Sequence, residues 1–176
     1  METKKDRQTY LVFVPHRDFR AVIQKNINSQ IEAGLKGVYL FPAAAPLARL
    51  SKALSSDELK QLAKSLRQSI GKNKLIIRET AVTEFDQDMR LFGPRLELPC
   101  KETESIPYKE FVIGTYLMPK NAQSPPLLSC FLKNTEESLL SFRAAAIANM
   151  SWQQVKKNDE VYFKWKIGKL CWLPHH

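Results

Sequence analysis

The chain has 176 residues, and its 44% hydrophobic content is enough for one compact domain with a buried core. It has no run of about 18 uncharged apolar residues and no cleavable leader pattern, which excludes a predicted membrane span or secretion signal and favours a cytoplasmic protein. Lysine and arginine total 27 against 18 acidic residues, a formal charge of +9. This excess favours a polyanionic partner such as RNA, DNA or a nucleotide phosphate, although each small basic cluster alone is typical of solvated surface.

The first fifty residues predict a strand, a helix and a second extended segment. Residues 10–14 form a continuous apolar run that ends at Pro15, which is typical of a buried strand. In residues 17–35 the apolar side chains recur at spacings of three and four, which predicts an amphipathic helix that ends at glycine. Residues 38–50 are apolar and contain two prolines, and they predict an extended segment that approaches the core.

The middle of the chain predicts one well-marked helix followed by strands. Ser55 or Ser56 caps a helix that ends at Gly71, because acidic residues and then a periodic apolar face follow these serines. The polar residues 99–106 predict a loop. Strands are predicted around residues 75–77, 82–85, 90–98, 111–118 and 127–132.

The last forty residues predict a helix and a half-buried strand. Thr135 caps a helix over residues 138–149, and Glu136 and Glu137 suit the positive end of its dipole. Residues 161–167 alternate apolar and polar side chains with a period of two, which predicts a strand with one buried face.

Three cysteines stand far apart in the sequence: Cys100, Cys130 and Cys171. None forms a C-x-x-C pair. We therefore expect free thiols, no metal site and no cofactor.

The order of these elements resembles the 2H phosphoesterase superfamily, the LigT-like or cyclic phosphodiesterase-like proteins. The segments that carry the resemblance are YLVFVPH, GVYLFPAAAPLARL, SSDELKQLAKSLR, PPLLSCFLK and VYFKWKIGKLCWLPH. The resemblance implies an α+β, bilobal fold in a single domain spanning residues 1–176. It also implies two antiparallel sheets that face a central groove, with helices on their outer faces.

The chain departs from this family at both of its His-x-Thr/Ser motifs. In family members the two histidines act as acid and base, since histidine titrates near neutral pH, and the hydroxyls hold phosphate oxygens. Here the first histidine position falls at residues 45–46, and residues 47–48 replace the hydroxyl. The second falls near Leu127, where only Ser129 keeps a hydroxyl. The resemblance therefore implies a degenerate member that has lost the family reaction.

Three residues near these positions are candidates for binding phosphate or RNA. Arg49 and Lys133 flank the two motif segments, and Ser129 adds a hydroxyl, so together they suit a phosphate that is held without being cleaved. Alternatively, the two cations mark where each strand leaves the core. A set of aromatic residues is able either to stack on bases or to fill the core: Tyr39, Tyr116, Phe131, Trp165 and Trp172.

We therefore expect a non-catalytic 2H phosphoesterase-like protein that binds RNA or a phosphorylated nucleotide in a basic groove. The first alternative is an active cyclic phosphodiesterase with an unrecognised catalytic set, for which His16 is the only histidine outside the terminal pair His175 and His176. The second alternative is a protein-interaction module whose groove or sheet edge accepts a protein partner.

Overall fold

The computed structural model describes residues 2–32, 34, 37–70, 76–86, 88–97, 111–121 and 145–173. Within them it contains eleven strands and two helices. Their bounds in chain order are β1 (Glu2–Lys4), β2 (Gln8–Val14), α1 (Arg17–Glu32), β3 (Tyr39–Leu40), β4 (Ala45–Leu50), α2 (Ser56–Ile70), β5 (Ile76–Asp86), β6 (Met89–Glu97), β7 (Phe111–Val112), β8 (Tyr116–Pro119), β9 (Ala146–Lys157), β10 (Glu160–Ile167) and β11 (Cys171–Trp172).

The first antiparallel sheet is built around β9. Strands β1 and β2 pair with one edge of β9, while β10 and β11 pair with its other edge. Strand β4 adds to the free edge of β2, so the order across the sheet is β4, β2, β9 and β10. A two-residue turn joins β9 to β10, and its residues Asn158 and Asp159 both have positive φ, as a tight hairpin turn requires.

The second antiparallel sheet has the order β3, β8, β6 and β5. Strand β7 pairs with β6 on the same edge as β8, and the short segment 113–115 separates the two. The protein is thus a mixed α+β chain with two antiparallel sheets, which confirms this part of the predicted fold.

Aromatic side chains fill the space between the two sheets. The ring of Tyr10 on β2 stacks on Phe85 of β5 with centroids 4.9 Å apart, and Trp152 of β9 contacts the same Phe85 at 5.2 Å. Tyr39 of β3 meets Phe163 of β10 edge to face at 5.1 Å. These three contacts each join one sheet to the other, so this cluster, which we call the inter-sheet aromatic cluster, holds the sheets face to face.

Both helices begin where the sequence predicts them. Helix α1 ends at Glu32, before two glycines with positive φ, Gly34 and Gly37. Helix α2 contacts β9 and β11. A larger set of buried residues joins the apolar face of α2 to the first sheet: Leu11, Leu47, Leu59, Ala63, Leu66, Ile147 and Leu173.

The predicted third helix is wrong where the structure describes it. Residues 145–149 lie in and next to β9, not at the end of a helix; residues 135–144 fall outside the described residues. Alanine favours helices, but here tertiary packing decides, because Ala146 and Ala148 face the second sheet while Ile147 faces the opposite core. The predicted strand 127–132 and loop 99–106 also fall outside the described residues.

The structure describes one of the three cysteines and both helices that bear on the expected absence of a membrane span. Cys171 is half-buried and free, while Cys100 and Cys130 lie outside the described residues. In the described chain, neither helix is long and apolar enough to cross a membrane. The same residues contain no cluster of three or more histidine, cysteine and acidic side chains that would suit a metal ion.

Candidate nucleic-acid interface

Only one of the three predicted phosphate-binding residues lies in the described part of the structure. Arg49 is exposed on β4, an edge strand of the first sheet. It pairs with Tyr10, so its side chain lies on the face of the sheet that carries the inter-sheet aromatic cluster. Ser129 and Lys133 lie outside the described residues.

Most of the positions that the resemblance aligns with the first His-x-Thr/Ser motif, residues 45–48, point into the core. Ala45 and Leu47 are fully buried in the core that α2 covers, and Ala48 is 9% exposed in the same core. Only Pro46 is half-buried. A side chain at these buried positions does not meet a ligand, so this segment contributes packing and not chemistry.

A cleft opens between the start of α1, the end of β3 and strand β10. Its first part has a volume of about 400 Å³, with Arg17, Arg20 and Gln24 of α1 on one wall. Residues 40–43 form the opposite wall, and Trp165 of β10 closes the side. None of these lining residues is acidic.

A second cavity of about 440 Å³ continues the first, because both are lined by Arg20 and Trp165. Its other lining residues come from β2, β10 and the turn after β10: Val14, Lys166, Ile167, Gly168 and Leu170. We call the two cavities together the basic cleft. Its described lining contains three cationic side chains and no carboxylate.

Arg20 is the cationic residue that lines both cavities of the basic cleft. It lies one turn into α1, where its backbone N–H donates to the carbonyl of His16 at 3.0 Å. Its side-chain Nε is buried and has no hydrogen-bond partner among the described residues. Arg20 lines both cavities of the cleft, so its cationic guanidinium group is placed to attract an anionic ligand in either of them.

The register of β10 explains why Trp165 is available. Trp165 pairs with Trp152, and both side chains lie on the face that meets the second sheet. Trp152 is buried beneath that sheet, whereas Trp165 on the edge strand is 46% exposed. Its indole therefore lies at the open side of the sandwich, beside the arginines of α1.

The structure divides the predicted aromatic candidates between the core and the surface. Tyr116 is fully buried, and this burial raises its pKa to about 12, so it is a core residue. Tyr39 is half-buried in the inter-sheet aromatic cluster. Trp165 and Trp172 are exposed, and Phe131 lies outside the described residues.

His16 directly precedes α1 and is half-buried. It neighbours Arg17 in sequence, so it lies at the N-terminal end of α1, the helix that borders the basic cleft. It is the only histidine among the described residues, since His175 and His176 lie outside them. The described structure therefore offers no second imidazole with which His16 would form a proton-transfer pair.

Arg17 and Arg20 were placed on a helix by the sequence but were not identified as site residues. A signal was present, because two arginines three positions apart at the start of a helix lie on one face. The sequence does not reveal that this helix face lies beside Trp165, because Trp165 comes from the other end of the chain.

No family model matches this chain, and comparisons with curated proteins and with solved structures return no match either. The geometry of the cleft is therefore the basis for a functional conclusion.

Proposed function

We propose that this protein is a non-catalytic 2H phosphoesterase-like protein that binds RNA or a phosphorylated nucleotide in the basic cleft. The observation that carries the proposal is that an exposed indole, Trp165, and a cationic guanidinium group, Arg20, line the same two cavities. An indole face stacks on any base, and a guanidinium suits a phosphate.

The charge of the cleft supports an anionic ligand. Three charged side chains line the described part of the cleft, and all three are cationic: Arg17, Arg20 and Lys166. Hydrogen bonds from an arginine to phosphate oxygens are charge-assisted and often bidentate, so they hold a phosphate in a defined orientation. The net charge of +9 adds a long-range attraction for the same class of ligand.

The family part of the proposal is supported by the two antiparallel sheets, and its non-catalytic part by the apolar residues at the position expected for the first motif. Two antiparallel sheets with a helix after the first long strand agree with the expected layout. Under this proposal the basic cleft is the open part of a bilobal groove, and the inter-sheet aromatic cluster closes the remainder. Apolar side chains at Ala45 and Leu47 leave that position without a proton carrier.

The binding test uses the purified full chain with a labelled short RNA and with a 2′,3′-cyclic nucleotide at 50 and 200 mM salt. We expect binding that weakens with salt, because each cation that contacts a phosphate releases counterions. Arg17→Gln and Arg20→Gln should each weaken RNA binding and reduce the slope of log K against log salt by about 0.7, the value for one contact on a single strand.

Arg49→Gln is the matched control for these variants. It removes the same charge from an exposed position on β4, outside the lining of the basic cleft. If Arg49→Gln reduced the slope and the α1 variants did not, phosphate binding would belong to the sequence-predicted position instead. Absence of binding at low salt would refute the proposed function.

A second candidate function is an active cyclic phosphodiesterase that uses His16. The observation in its favour is the position of His16 next to Arg17 at the start of α1. It predicts turnover of the cyclic nucleotide that His16→Ala abolishes, whereas the binding function predicts no turnover in either protein.

A stoichiometric protein partner, with no affinity for nucleic acid, would favour an interaction module.

A further inference from the structure

A second exposed indole lies on the same face of the first sheet as Trp165. Trp172 of β11 pairs with Ala146 of β9, and Ala146 pairs on its other side with Val14 of β2. Side chains of paired residues lie on one face, so Trp172 shares the face of Val14, which lines the basic cleft. Trp172 and Val14 lie two strand spacings apart across the sheet, about 10 Å. Trp172 is 51% exposed.

The two tryptophans mark opposite ends of this surface. Trp165 pairs with Trp152, and Trp172 pairs with Ala146, so the two indoles are six residues apart as measured along β9. At about 3.4 Å per residue this is about 20 Å. The floor between them belongs to the cleft, since Ile167 and Leu170 line it.

We propose that a single strand of nucleic acid binds lengthwise along the basic cleft and the adjoining sheet face that carries Trp172, with one base stacked on Trp165, another on Trp172, and a phosphate between them held by Arg20. This inference rests on the proposed function and specifies its ligand. A mononucleotide is too short to contact both indoles across about 20 Å, while single-strand sites commonly span four or more nucleotides.

The chemistry of the surface selects single strands over duplexes. Stacking on an indole requires a base whose faces are free, and in a duplex both faces of each base are covered by its neighbours. Stacking depends on the ring face rather than on base edges, so we expect little preference among sequences. The cations that line the cleft with Trp165 distinguish this surface from an apolar patch that would bind a neutral peptide.

The test measures affinity for fluorescently labelled octamers of uridylate and of deoxythymidylate, with UMP and an eight-base-pair duplex as competitors. Either octamer should bind at least about fivefold more tightly than UMP, since a second stacked base contributes at least about that factor. Trp165→Ala and Trp172→Ala should each weaken octamer binding about 5- to 150-fold. Trp165→Phe and Trp172→Phe should retain most of the affinity, because a phenyl ring still stacks.

Tyr162→Ala is the matched control. Tyr162 is an exposed aromatic residue on the same strand as Trp165, but it lies on the opposite face of the sheet. Its removal should leave octamer binding unchanged. Near-ultraviolet circular dichroism of each variant checks that the buried Trp152 keeps its environment.

The outcomes separate this inference from the proposed function. If UMP or the duplex competed as well as an octamer, or if Trp172→Ala left octamer binding unchanged, the lengthwise single-strand inference would be wrong while the binding function stood. If neither UMP nor the octamers bound at low salt, both would be wrong.

Discussion

At the scale of single residues, two glycines allow the backbone of the second sheet to pass closer to its neighbours than other residues would permit. A Cβ atom on Gly93 would overlap the carbonyl oxygen of Ile113, and one on Gly114 would overlap the ring of Phe41. Because the backbones lie this close together, the segment between β7 and β8 forms hydrogen bonds with β6, including one from Ile113 N–H to the Pro94 carbonyl at 2.8 Å. These glycines therefore serve backbone packing rather than a turn.

Gly93→Ala should lower the free energy of unfolding by about 1–3 kcal/mol, because the added methyl group must displace backbone atoms. Gly168→Ala is the control, since its Cβ would lie 3.4 Å from the Asn149 carbonyl oxygen, an ordinary contact distance. That substitution should change stability by less than about 1 kcal/mol. Urea denaturation of both variants measures the difference, and equal stabilities would contradict the packing role of Gly93.

Asn149 shows how one side chain joins two elements. Its Oδ1 accepts a hydrogen bond from Leu54 N–H at 3.0 Å, and its Nδ2 donates to the Leu54 carbonyl at 2.9 Å. This pair of bonds ties β9 to the segment that precedes α2. The sequence placed Asn149 at the end of a helix, so this role was not predictable before the strand was known.

At the scale of elements, α2 is the one whose start the sequence determines most completely. Ser55 Oγ accepts a hydrogen bond from Glu58 N–H at 3.2 Å, and Glu58 Oε2 accepts one from Ser55 N–H at 3.0 Å. This reciprocal arrangement is a capping box, and it selects Ser55 over Ser56 as the cap. The periodic apolar face then positions the helix on the first sheet.

Ser55→Ala should lower the free energy of unfolding by about 1 kcal/mol, because one backbone N–H at the start of α2 loses its acceptor. Ser56→Ala is the control, since Ser56 is exposed and is the first residue of the helix. Thermal unfolding followed by circular dichroism should show a lower midpoint for Ser55→Ala alone. A larger loss of stability for Ser56→Ala than for Ser55→Ala would mean that Ser56, and not Ser55, caps the helix.

At the scale of the whole molecule, the inter-sheet aromatic cluster determines both stability and where the cleft opens. Phe85 contacts three rings, those of Tyr10, Phe41 and Trp152, at centroid distances of 4.9 to 5.2 Å. These rings fill the centre of the sandwich. The open surface is therefore displaced to the edge where β10 meets α1 and the end of β3.

Phe85→Ala should lower the free energy of unfolding by about 3–5 kcal/mol, since it removes a large buried ring that joins the two sheets. Val82→Ala, on the same strand but 49% exposed, should cost much less. Guanidinium denaturation, monitored by tryptophan fluorescence, compares the two variants. A small effect for Phe85→Ala would mean that the sheets are held together by other contacts.

The sequence by itself determined the elements whose signals are local. An apolar run predicted β2, spacings of three and four predicted α1 and α2, and a period of two predicted β10, because these patterns depend on neighbouring residues alone. The net charge of the chain also followed from composition, and with it the expectation of an anionic ligand.

The tertiary structure alone decided which residues meet. It brought Arg20 near the start of the chain to Trp165 near its end, and it turned the alanine-rich start of β9 into a strand buried on both faces. It also buried the segment that contains Leu47, which the sequence had aligned with a catalytic motif. Such contacts depend on the pairing of distant strands, and the local patterns of a single sequence do not encode that pairing.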